Sequence, residues 1–70
     1  MKKEDVTAKM LADYIVKLAD GRKASDSEIK FVEENFNKFQ FTVEQSFVTK
    51  NDELTMSRAQ LNDNCDLLNL

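Results

Sequence analysis

The chain has no histidine, no proline and no tryptophan, and it holds a single cysteine and a single glycine. Each shortage excludes something. Without histidine there is no side chain whose ordinary pKa lies near neutrality, so the commonest general acid–base group is missing. One cysteine cannot close an internal disulfide. The same shortage removes the four-ligand zinc sites built on cysteine and histidine. One glycine cannot make a glycine-rich phosphate loop. Apolar runs stop at two or three residues, far too short to span a membrane. The opening "MKKEDVTAKM" has two lysines but then acids, with no apolar stretch, so it does not read as a secretory signal. A free cysteine without such a signal predicts a reducing, cytoplasmic setting.

What is present suits one small helical domain. The 70 residues are 33% charged and 41% apolar, a balance of folded rather than disordered chains. At this length burial and conformational entropy nearly cancel, so tight helix packing or association has to supply the remaining stability. Charge is uneven. Residues 1–50 hold nine Lys/Arg and nine Asp/Glu, whereas 51–70 hold Arg58 against Asp52, Glu53, Asp63 and Asp66, so the net −3 falls in the last part. Acidity of this kind argues against direct nucleic-acid binding, where affinity comes from neutralising phosphates. Arg22, Lys23 and Lys30 do cluster, but Asp20, Asp26 and Glu28 interleave with them, which reads as a solvated turn.

The first helix is signalled by Met10, Leu11, Tyr14, Ile15 and Leu18, the i, i+3, i+4, i+7 spacing of one buried face. Glu4 and Asp5 would lie in its first turn, where the helix dipole favours acids. Gly21 is its stop. Ser25 with Glu28 forms a capping box that starts a second helix, whose stripe is Ile29, Val32, Phe36 and Phe39. Stop, short loop and start predict an antiparallel helical hairpin. The connecting "DGRKASDSEIKF" has the length of a calcium-binding loop. It carries Arg22, Ala24, Ser25 and Phe31 where ligands, glycine and the final acid belong, so no metal is assigned.

Alternation at Phe39, Phe41 and Val43 could mark a strand, but no second strand-like segment is visible to pair with it. A turn near residues 40–42 fits better, followed by a helix capped by Thr42 and Gln45. Phe47, Leu54, Leu61 and Leu68 recur every seven residues, the repeat of a coiled-coil seam. "TKND" at 49–52 could break this helix. Because the phase runs through undisturbed, a single helix from 43 to about 68 is favoured. Such a helix is nearly 40 Å long against roughly 22 Å for the hairpin, at 1.5 Å per residue. Its end, residues 61–70, would then project with exposed leucines, which implies a partner.

These readings predict an all-α fold: an antiparallel hairpin plus a longer C-terminal helix, a three-helix bundle that oligomerises. No catalytic, metal or cofactor site is expected. Asp63 and Asp66 flank Cys65 and disfavour its thiolate, so it reads as a small seam residue. Phe31 points away from the Val32–Phe36 stripe and is a candidate contact. The expected interface is Phe31, Phe47, Leu54, Leu61, Cys65 and Leu68. The expected function is a non-enzymatic cytoplasmic adaptor or regulator that binds another protein, copies of itself, or both. The alternatives are an acidic mimic of nucleic acid that occupies a basic surface, and a structural component of a larger assembly.

Overall fold

A computed structural model describes residues 3–43 and 54–70. In chain order it has a 3-10 turn (Lys3–Asp5), α1 (Ala8–Asp20), α2 (Asp26–Glu34), a second 3-10 turn (Phe36–Lys38), β1 (Thr42–Val43), β2 (Leu54–Thr55) and α3 (Arg58–Leu67). The described residues are mostly helical, in line with the all-α expectation, and a short two-stranded ribbon is added to the helices.

Helix α1 begins later than its acidic lead-in suggested. Glu4 and Asp5 occupy a separate 3-10 turn, and Thr7 is the cap, its Oγ1 accepting from the Met10 N–H at 3.2 Å. Val6 and Leu11 then stand at the two positions of a hydrophobic staple, and both belong to the core. Gly21 ends the helix as its position implied: φ is +69° and its N–H donates to the Lys17 carbonyl at 2.9 Å. The buried face is Leu11, Ala12, Ile15 and Val16. Relative to the expected stripe it is rotated toward Ala12 and Val16, which leaves Leu18 54% exposed. Helix α1 is apolar around most of its girth. The packing of α2 and α3 against it selects the side with the small Ala12.

Helix α2 starts at the capping box. The Glu28 N–H donates to Ser25 Oγ at 3.3 Å, and the Ser25 N–H donates to Glu28 Oε1 at 2.8 Å. It stops at Asn35, where both the backbone N–H and Nδ2 donate to the Phe31 carbonyl at 3.0 Å. The following 3-10 turn carries the phenylalanine stripe onward. Phe39 and Phe41 are buried, and Phe36 and Ile29 pack against the core from its margin. Two ring pairs tie this region together: Phe31 edge-on to Phe39 with centroids 6.2 Å apart, and Phe36 tilted over Phe41 at 5.7 Å.

The second half departs from the single long helix. Thr42–Val43 is a strand after all, and its partner is Leu54–Thr55, paired antiparallel with Thr42 opposite Thr55 and Val43 opposite Leu54. The Thr42 hydroxyl donates to the Thr55 carbonyl at 2.8 Å, so Thr42 ties the ribbon and does not cap a helix. Gln45 and the candidate break at 49–52 lie outside the described residues. Helix α3 starts at a third capping box. Ser57 Oγ accepts from the Gln60 N–H at 3.2 Å, and Gln60 Oε1 accepts from the Ser57 N–H at 3.3 Å. The seven-residue spacing therefore joins a strand residue, Leu54, to a helical one, Leu61, and to the helix cap, Leu68.

Candidate interaction surface

Three features of α3 fix where its C-terminal end lies. The first is Asn64, fully buried on the inner face of the helix. Its Oδ1 accepts from the Gln40 N–H at 3.0 Å, and its Nδ2 donates to the Gln40 carbonyl and to Met56 Sδ. One carboxamide thus engages both main-chain groups of Gln40. The second is the apolar edge of Leu61, Cys65, Leu67 and Leu68, all half-buried against the core. The third is the helix end. Asn69 takes the left-handed conformation at φ +59°, its N–H donates to the Asp66 carbonyl at 3.2 Å, and the Leu70 N–H donates to the Cys65 carbonyl at 2.9 Å. This is a Schellman motif with asparagine in the place usually held by glycine.

That end comes to rest beside α2. Ser27, Glu28 and Phe31 from α2, with Leu67 of α3 and Leu68 and Asn69 of its C-terminal stop, line an open groove of about 130 Å³. Phe31 is 38% exposed, with its ring steadied from inside by Phe39. The groove has two of the six expected interface residues, Phe31 and Leu68. Leu54 is corrected outright: at 7% exposure it is core, because the ribbon turns it inward. Leu61 and Cys65 are half-buried on the core side of α3. Phe47 lies outside the described residues. Residues 58–67 lie against α1, so the projecting segment foreseen for 61–70 is replaced by a packed helix. Leu67 and Asn69 went unnoticed in the sequence. Asparagine after an apolar pair was the available signal, since it is the second choice at a left-handed helix stop.

A second concavity, about 340 Å³, opens beside the hairpin turn and is lined by Asp13, Lys17, Gly21, Arg22 and Lys23. Two of its charged side chains, Asp13 and Arg22, are engaged within the fold. Arg22 donates from Nε to Asp20 at 2.9 Å, from both terminal nitrogens to the Glu28 carboxylate at 2.9 and 3.1 Å, and to the Lys23 carbonyl. Asp13 Oδ1 accepts from the Ala24 N–H at 3.1 Å. The forked pair with Arg22, helped by the Ser25 N–H, holds Glu28 down to about 2, and the two carboxylates raise Arg22 in turn. Cys65 is pushed the other way, its thiol raised by burial and by nearby Asp66.

Among the described residues no three His, Cys, Asp or Glu side chains gather as metal ligands, and no helix is long and apolar enough to cross a membrane. No buried side-chain nitrogen or oxygen among them lacks a hydrogen-bond partner. Comparison with protein-family models, with curated proteins and with solved structures finds no match.

Proposed function

We propose that this chain acts without catalysis, by binding another protein through the groove of Phe31, Leu67 and Leu68. One observation carries the reading. Phe31 stands at the surface beside Leu67 and Leu68 at the end of α3, whereas the other aromatic rings among the described residues turn inward or to the margin of the domain. A cleft of about 130 Å³ is well below the roughly 300–1,000 Å³ of small-molecule sites, so it suits a protruding side chain better than a free ligand. Association with copies of itself was motivated by the stripe at 54, 61 and 68. With Leu54 in the core that motive weakens, and the reading shifts toward a different partner.

The test is affinity capture from the source cell with the wild-type chain and with Phe31→Ser. Leu18→Ser, at an exposed apolar position that does not line the groove, serves as the control. A protein held by wild type and by the Leu18 variant, lost with Phe31→Ser, and rebinding when purified supports the reading. Identical capture by all three overturns it.

A further inference from the structure

Around the apolar floor of the groove the charges are predominantly negative. Helix α2 carries Asp26, Glu28, Glu33 and Glu34 against Lys30, and α3 carries Asp63 and Asp66 against Arg58. Glu28 is neutralised by Arg22. Asp26, Glu33, Glu34, Asp63 and Asp66 are all exposed. Helical spacing places two of them at the border. Glu34 stands three residues beyond Phe31, and Asp63 stands four before Leu67, each the same-face neighbour of a groove residue. Asp66 is exposed on the last turn of α3, next to Leu67 in the chain. Lys30 adjoins the α2 side. Arg58 is nine residues before Leu67, about 13 Å along the helix at 1.5 Å per residue.

From this arrangement we infer the chemistry of the occupant: a basic amphipathic segment of another protein. It sets one leucine- or phenylalanine-sized side chain against Phe31, Leu67 and Leu68, and lays lysine or arginine over Glu34, Asp63 and Asp66. The inference rests on the reading that the groove binds a protein, and adds the sign of that protein's charge. A second copy of this chain fits poorly. A two-fold contact apposes like patches, so carboxylates would meet carboxylates, and such juxtaposition opposes association. Nucleic acid is disfavoured by the same charges.

The experiment uses the full chain, isotope-labelled, titrated with three synthetic helical peptides of one length. They share one leucine-bearing face, and their polar face is all lysine, all glutamine or all glutamate. The lysine peptide is expected to shift the resonances of Phe31, Leu67 and Leu68 and to bind about tenfold more tightly than the glutamine peptide. The glutamate peptide should leave these resonances unmoved. Raising ionic strength from about 0.05 to about 0.3 M should weaken the lysine peptide severalfold, as screening requires. Phe31→Ser and the double change Glu34→Gln with Asp63→Asn should each cost severalfold in affinity. All three positions are exposed, and a thermal melt beside each titration confirms the fold. Equal binding of the lysine and glutamine peptides in the groove overturns the charge assignment and leaves the protein-binding reading standing. Absence of any shift at the groove with all three peptides overturns both. Sedimentation showing self-association that Phe31→Ser abolishes would make a second copy the occupant and also overturn the inference.

Discussion

Replacing Asn64 with leucine should remove a large share of the stability of this domain. Leucine repeats the branched heavy-atom skeleton of asparagine and is the bulkier of the two, so no cavity opens and the change is chiefly the loss of a donor and an acceptor, with a modest cost of overpacking. Gln40 then keeps a main-chain N–H and a carbonyl that face α3 without partners. A buried polar group stripped of its partner costs about 1–3 kcal/mol. The Gln40 side chain is exposed and water reaches its margin, so the lower part of that range applies to each group, about 2–4 kcal/mol in all. A domain of 70 residues has on the order of 3–10 kcal/mol to lose, and about 4–8 °C goes with each kcal/mol at this size. The melting temperature should therefore fall by about 10 °C or more, read by circular dichroism on heating and in urea. Asn64→Ala separates the causes. If the hydrogen bonds matter, leucine and alanine are both costly. If Asn64 acts only by filling space, leucine is nearly neutral and alanine alone is costly, and that result would refute the reasoning. Asn64→Asp adds a check of sign. The introduced carboxylate is buried, so its folded pKa is raised and the penalty is largest at neutral pH. Part of the stability should return as pH falls toward the unfolded carboxylate value of about 4.

Three further outcomes follow from the same geometry. Glu28 has a folded pKa of about 2, depressed from the ordinary carboxylate value, so its contribution is whole above about pH 4.5 and is lost as pH falls toward 2; Glu28→Gln should flatten the acid limb of a stability–pH curve over that window. Gly21→Ala should cost about 1–2 kcal/mol in a urea melt, because φ is +69°. An added Cβ would meet nothing within 4 Å, so a D-alanine introduced there by synthesis should cost little. Cys65, whose thiol is raised by burial and by Asp66, should react with iodoacetamide at pH 8 several times more slowly than a free cysteine peptide; reaction at the free-peptide rate would contradict the packing of α3.

The first half of the fold could be read from sequence because its signals are local and agree with one another. Gly21 sits where only a left-handed residue ends a helix cleanly, and Ser25 with Glu28 starts the next one within a few residues. In the second half local signals compete. Ser57 and Gln60 form a capping box as clear as the one at Ser25, yet the seven-residue leucine spacing runs across it and suggested continuity. A strand of two residues has no periodicity to detect, and the partner of Thr42–Val43 stands beyond residues 44–53. The rotation of α1 was illegible for a different reason. Apolar residues cover several of its faces, and only the neighbouring helices decide that Val16 is buried and Leu18 is not. The groove was half legible: helical phase alone exposes Phe31, but bringing Leu67 and Leu68 beside it needs the tertiary placement of α3. Asn64 was hidden in plain sight. "NDNCD" offers two asparagines of equal propensity, and only the phase of the packed helix turns Asn64 inward and Asn62 out.

A carboxamide presents the same pair of groups as a peptide bond, one donor and one acceptor side by side. Against Gln40, two residues before β1, the side chain of Asn64 therefore stands in for a peptide group and satisfies a residue that lies outside the two-residue ladder. A side chain on a helix thus does for the approach to the ribbon what a neighbouring strand does for a ladder residue. Loss of Asn64 would unfasten the approach to β1 from α3 as well as loosen the domain.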